Sequence, residues 1–179
     1  MKAEIRKSTP EDAAAIMALY PRAFPDEELR PVVRALLDDE TIAISLVGVV
    51  ENAVAGHVIF TYCGIDDGTD HEDGDTSAAL LAPLAVDPSV QRQGIGGALV
   101  QHGLRLLEKQ NIAHVLVLGD PAYYGRFGFA AETNTAPPHP MPPEWREAWQ
   151  SIRLNDADAA PQGKLAAPPP WRDPALWGP

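Results

Sequence analysis

Two hydrophobic periods take turns along this chain. Residues 3–7 form a short β-type run. Thr9, Pro10, Glu11 and Asp12 then open a helix: Thr9 is a capping residue, Pro10 suits a first turn, and Asp12 stands where it closes a capping box. That helix runs through Ile16 and Leu19 towards Pro21. A second is predicted near 26–37, with Leu29, Val32, Val33, Leu36 and Leu37 on its apolar side. Pro31 fits only in a first turn, which leaves its start open. The β-rich runs 42–50 and 54–63 flank Glu51, Asn52 and Ala53 and predict an antiparallel hairpin. Residues 79–86 are apolar on both faces, the mark of a central strand. Ile95, Leu99 and Leu106 return to helical spacing, in a stripe widened by Val100, Leu104 and Leu107. Residues 114–118 predict another buried strand and 121–127 a short helix. Gly128 and Phe129 begin a further strand.

Two stretches break this alternation. Asp66, Asp67, Asp70, Glu72, Asp73 and Asp75 crowd a loop with Gly64, Gly68 and Gly74, too polar to bury and expected to be mobile. His71 lies in it, but the spacing does not match a calcium loop. After Ala136 proline becomes frequent, and Trp145, Trp149, Trp171 and Trp177 are all the tryptophans of the chain. A disordered tail does not collect tryptophan, so residues 137–179 are expected to pack on a core formed by 1–136. This extension is a strap over the sheet, an acceptor pocket or a dimer contact, readings that are compatible.

The junction between the apolar run 79–86 and the helix after it carries the most chemistry. Leu84, Ala85 and Val86 end a strand; Gln91, Arg92, Gln93, Gly94, Ile95, Gly96 and Gly97 lead into a helix. A helix start leaves N–H groups unpaired and carries the positive end of the helix dipole, so it holds a phosphate or pyrophosphate. Gly94, Gly96 and Gly97 let an anion approach the backbone, and Arg92 adds a guanidinium suited to phosphate oxygens. A plain tight helix start is the bland alternative. A dinucleotide fingerprint is the other, but Leu99 stands where its third glycine belongs and the approach from Val86 to Gly94 is too long.

Composition narrows the classes. A chain of 179 residues, 45% hydrophobic, suits a domain with a real core. The net charge of -11 argues against non-specific binding to DNA or RNA. It favours cationic ligands, amines among them, or simply keeps the protein soluble. The single cysteine, Cys63, permits no internal disulfide and reads as a small buried hydrophobe. No signal-peptide core and no membrane-length apolar run stand in the sequence. The expectation is a cytoplasmic protein that binds neither membrane nor nucleic acid, as monomer or homodimer.

The string Gln91-Arg92-Gln93-Gly94-Ile95-Gly96, with Arg92 to Gly97 as an overlapping register, resembles the pyrophosphate signature Q/R-x-x-G-x-G/A of the GNAT-type N-acetyltransferases. Tyr124-Gly125-Arg126-Phe127-Gly128-Phe129 is a second match, a tyrosine four residues before a Gly-Phe pair. The longer string from Leu118 to Phe129 is similar to a bacterial YhbS-type branch. The likeness covers the chain up to Ala136. It implies an α/β (α+β) fold with a mixed, twisted central sheet and helices on both faces. It implies acetyl-CoA as cosubstrate, held by Leu84, Ala85, Val86, Gln91 to Gly97 and Asp120 in a gap between central strands, and no metal. Many members carry an asparagine where this chain has Gly119 and Asp120.

The implied reaction is direct transfer of an acetyl group to an amine of a small molecule or peptide. Tyr124 would be the general acid for the leaving thiolate, and a backbone N–H of 84–86 would face the oxyanion. The amine must lose a proton, and three routes stay open: Glu27 or Glu28, Asp120, or a water chain. Tyr124 is otherwise a core aromatic beside Phe127 and Phe129. Tyr123 is structural or faces the acceptor, and the two tyrosines can exchange roles. Arg126 either contacts phosphate or holds the short helix by a salt bridge, and His57 reads as a satisfied core histidine. The alternative function is a non-catalytic module that binds CoA or a partner protein.

Overall fold

The computed structural model describes residues 2–68 and 77–178. The charged loop around His71 therefore lies outside the described residues, apart from its first members. Asp66 ends a strand there, and Gly68 turns with φ +84°.

The elements follow the predicted order. Strand β1 spans Glu4–Lys7, helix α1 Ala13–Ala23 and helix α2 Arg30–Leu37. A 3₁₀ turn, Pro10–Asp12, precedes α1, and the Asp12 carboxylate accepts hydrogen bonds from the Thr9 amide and hydroxyl. Pro21 sits in the last turn of α1 without ending it. Helix α2 starts four residues later than 26, because Pro31 is tolerated only near its start. There the Glu28 carboxylate also accepts from the Arg30 amide.

Strand β2 is Ala43–Val50 and β3 is Ala53–Asp66, which extends its predicted run by one residue at the start and three at the end. Glu51 and Asn52 between them both have positive φ, 49° and 66°, the conformation of a two-residue hairpin turn. Strand β4 spans Ala78–Val86 and helix α3 Ile95–Lys109. Strand β5, His114–Leu118, has the predicted bounds. Helix α4, Pro121–Tyr124, continues as a 3₁₀ turn through Phe127, and strand β6 is Ala130–Ala131. On α3 the buried residues are Ile95, Gly96, Leu99, Val100, Gly103 and Leu107, while Leu104 and Leu106 are half-buried.

The chain beyond β6 contributes three further strands, two of them within the Pro- and Trp-rich stretch, that composition hides. Strand β7 is Thr135–Ala136, β8 Trp149–Arg153 and β9 Gly163–Ala166. Strand β8 is antiparallel to β5, from His114↔Arg153 to Leu118↔Trp149, and β6 pairs with its other edge. The tail thus supplies a strand of the sheet. The sheet is mixed: β1 is antiparallel to β2 and β4 parallel to β5.

The contacts divide the chain into two compact units. The first comprises 1–60 and 82–106; the second comprises 61–81 and 107–179. Strands β3 and β4 contribute to both.

The first unit has a polar thread in its core. His57 is fully buried, with Nδ1 2.7 Å from the Tyr20 hydroxyl and Nε2 2.8 Å from Ser45 Oγ. Ser8 donates in turn to Ser45 at 2.7 Å. Burial holds the imidazole well below its ordinary pKa, at about 3, so it is a neutral core group, as expected.

The second unit is held by indoles. Trp149, Trp171 and Trp177 are buried, with ring centroids 5.9 Å and 6.0 Å apart along the series Trp149–Trp177–Trp171. Each indole N–H has an acceptor: Thr135 O, the Thr61 hydroxyl and Trp171 O for Trp149, Trp171 and Trp177 respectively. Cys63 is buried in β3, and burial pushes its thiol up to about 12.

Candidate active site

The predicted residues fall in two places, one in each unit. Leu84 to Gly97 belong to the first unit and Asp120 and Tyr124 to the second.

In the first unit β4 ends in the apolar triplet Leu84, Ala85 and Val86, with only Ala85 fully buried. The β4–β5 ladder runs from Ala78↔His114 to Leu80↔Leu116 and stops there, although both strands continue. The chain then turns through Pro88–Val90. Asp87 fixes this turn by accepting from the Ser89 amide (3.0 Å) and hydroxyl (2.7 Å). Arg22 of α1 also donates to Asp87, at 2.8 Å. Together these bonds hold the Asp87 carboxyl below its usual range, those from Ser89 contributing most.

Gln91, Arg92, Gln93 and Gly94 are exposed. The Gln91 amide donates to Val86 O at 3.1 Å and ties the turn to the strand end. Arg92 has φ +63° and Gly94 φ +86°, so the backbone twice enters the left-handed region within three residues. Glycine tolerates this; arginine does so at a cost, a strain typical of ligand-binding turns. The first α3 bond is from the Ala98 amide to Gly94 O, at 3.0 Å. Among the described residues the amides of Gly94, Ile95, Gly96 and Gly97 have no protein acceptor. Ile95 anchors this end: its Cγ2 lies 3.0 Å from where a Cβ would stand on Gly48, and 2.9 Å on Gly56. Four amides, a helix dipole and an exposed guanidinium fit a pyrophosphate.

In the second unit Asp120 caps α4, its carboxylate accepting from the Ala122 amide at 2.9 Å. The Tyr124 ring lies among Tyr123, Phe129 and Phe127, with centroids 5.0, 5.7 and 6.5 Å away. Its hydroxyl makes no hydrogen bond among the described residues. Desolvation, then the neighbouring Tyr123, raises its pKa above the ordinary phenol value. The group therefore stays protonated at neutral pH and has a proton to donate. Among the described residues Arg126 forms no salt bridge. It lies 4.5 Å over the Tyr123 ring and donates to Tyr123 O at 3.2 Å, which corrects the salt-bridge expectation. Cation–π attraction replaces the ion pair in holding this turn.

The base candidates separate. Glu28 is held down at about 2, chiefly by the Arg30 guanidinium, and is a poor proton acceptor at neutral pH. Asp120 spends one carboxylate oxygen on its cap. Gly119, which the sequence showed only as a departure from the family's asparagine, and Gln150, which sequence reasoning passed over, lie at this end of β5. The Gln150 amide donates to Gly119 O at 3.0 Å. Among the described residues no group of three or more His, Cys, Asp or Glu is placed to hold a metal, and no helix is long and apolar enough to cross a membrane.

Comparison with known proteins agrees with this geometry. The Acetyltransferase (GNAT) family profile matches residues 13–129. The uncharacterised N-acetyltransferase YjhQ of Escherichia coli K12 is 34% identical over 148 residues, 80% of each chain. YhbS of the same organism is 35% identical over 156 residues, 85% of this chain and 87% of its own. The crystal structure of E. coli YhbS in complex with CoA superposes with a TM-score of 0.83 at 30% identity, covering 97% of this chain and 93% of that one. A GNAT family acetyltransferase from Brucella melitensis, in complex with acetyl-CoA, gives 0.74 at 29% identity, over 94% and 97%. The chain belongs to the GNAT acetyltransferase family.

Proposed function

We propose that this acetyltransferase moves an acetyl group from acetyl-CoA directly to an amine of a small molecule or peptide. The single observation that carries the reading is the set of four unpartnered amides, Gly94 to Gly97, at the start of α3. They would take the pyrophosphate, with Gln91, Arg92 and Gln93 around it, while the main chain of 84–86 lies along the pantetheine arm. The relatives solved in complex with CoA and acetyl-CoA support the choice of ligand. Bound acetyl-CoA supplies the thioester.

Tyr124 is the proton donor in this reading. Its proton goes to the departing sulfur, the attacking amine gives one proton to solvent, and the phenol is restored from solvent, so the balance closes. Its desolvated ring suits the task, because a phenol that resists ionisation arrives at the reaction protonated. No nucleophile is required, in keeping with a Cys63 thiol that burial keeps protonated. The net charge of -11 favours a cationic acceptor such as a polyamine, a lysine side chain or an amino sugar. Residues 1–136 form the catalytic core in this account and 137–179 an extension that completes the second unit.

The test is thiol release from acetyl-CoA over a panel of cationic and neutral amines, with the product identified by mass. One cationic amine gaining a single acetyl group supports the reading. Release that no amine accelerates rejects it.

A further inference from the structure

Tyr124 has an unusual problem for a proton donor: among the described residues nothing bonds its hydroxyl, so ring packing decides where that hydroxyl points. Three walls of the ring are aromatic, formed by Tyr123, Phe127 and Phe129. The fourth is the missing side chain of Gly119. A Cβ there would stand inside contact distance of Tyr124 Cε2, 3.0 Å from Cδ2 and 3.5 Å from Cζ, the carbon that bears the hydroxyl. The ring occupies the space a side chain would fill.

Gly119 is in turn pinned to β8. Its amide donates to Ala148 O at 2.9 Å, and its carbonyl accepts from the buried Gln150 side chain at 3.0 Å. Both backbone groups are thus held by the start of β8 and the residue just before it, in the Pro- and Trp-rich stretch. All of these residues lie in the second unit.

We propose that Gly119 and Gln150 are positioning residues: the bare α-carbon of Gly119, fixed to β8 by Gln150, sets where the Tyr124 hydroxyl points and so whether it reaches the leaving sulfur. This rests on the reading of Tyr124 as the acid. It also gives the Pro- and Trp-rich stretch a part in catalysis, through β8.

The test uses CoA itself as probe and needs no acceptor. With CoA bound, the S–H stretching band in Raman difference spectra reports how much of the sulfur is thiolate as pH rises. A hydroxyl aimed at sulfur donates to the thiolate, so the bound thiol in the wild-type chain is expected to titrate about one pH unit below that in Tyr124→Phe. Gly119→Ala is expected to titrate with Tyr124→Phe, and the double variant to move no further. Gly119→Ala titrating with the wild type, while Tyr124→Phe does not, overturns the positioning and leaves the acid intact. A double variant shifted beyond both singles overturns it too, since Gly119 would then act by another route. Wild type and Tyr124→Phe titrating together overturn the acid reading and the positioning with it. Should Gly119→Ala fail to fold or bind CoA, Gln150→Met decides: it keeps the shape of β8 and removes the donor to Gly119 O. A shift towards Tyr124→Phe supports the proposal, and wild-type titration rejects it.

Discussion

The two units solve the problem of holding a reactive feature by opposite means. In the first, the feature is backbone: amides at the start of α3, shaped by left-handed turns at Arg92 and Gly94, in a unit whose core carries the chain Tyr20, His57, Ser45 and Ser8. In the second, it is a side chain: Tyr124, whose hydroxyl has no bonded partner among the described residues and whose ring is boxed by aromatics and a bare glycine. A backbone site tolerates changes in side-chain identity and fails when the turn cannot form. A packed side chain fails when its neighbours change volume.

The largest effect expected from this contrast is on the stability of the second unit. Trp171→Ala empties a buried site and leaves the Thr61 hydroxyl without its indole donor. A loss of about 3–5 kcal/mol is expected in guanidinium denaturation. A loss under about 1 kcal/mol would show the indoles to be cover rather than core.

Tyr124→Phe comes next. It is expected to lower kcat about a hundredfold, in line with the loss of a general acid, and to leave the Kd for CoA nearly unchanged. An equal loss in both would make Tyr124 a binding residue. Its raised pKa also predicts that no alkaline limb below the ordinary phenol value comes from this group.

Acid distinguishes the two cores. His57 has its pKa lowered from 6.5 to about 3 by burial, so the unfolded chain binds the proton more readily. The stability this gives is complete above about pH 6.5 and drains as pH falls towards 3, by at most about 1.4 kcal/mol per pH unit. Denaturation midpoints measured between pH 7 and 4 should fall in the wild-type chain and fall less in His57→Phe, once each is referred to its own value at pH 7. Parallel curves would remove His57 as the titrating group.

The smallest effect is local. Gly94→Ala forces an alanine to φ +86°, at about 1 kcal/mol, and is expected to weaken CoA about fivefold at unchanged kcat. Equal affinity would mean that the turn is not held in this conformation when CoA binds.

The same contrast explains what could be read from sequence. The turn from Gln91 to Gly97 is legible because backbone sites need glycine at fixed spacing, and the bounds of β5 follow from an unbroken apolar run. Tyr124 is legible through its distance from Gly128 and Phe129. Its surroundings are not: Gly119 matters through a contact with a ring five residues on, and Gln150 through a strand whose sequence carries no strong β signal. Strands β7 and β9 are short and lie among prolines, so composition conceals them. The early start assigned to α2 fails for a local reason, since Leu29, like Val32, Val33 and Leu36, continues the apolar pattern while Pro31 forbids the helix before it.

The central claim is that the turn before α3 binds acetyl-CoA through its free amides. Calorimetric titration of acetyl-CoA into the wild-type chain and into Gly96→Glu tests it most directly, with denaturation curves confirming that both are folded. The account predicts saturable binding by the wild type. In the variant, a carboxylate beside the pyrophosphate should weaken binding by about a hundredfold or more. A folded wild-type chain that takes up no acetyl-CoA, or a folded Gly96→Glu that binds it as well, would contradict the account.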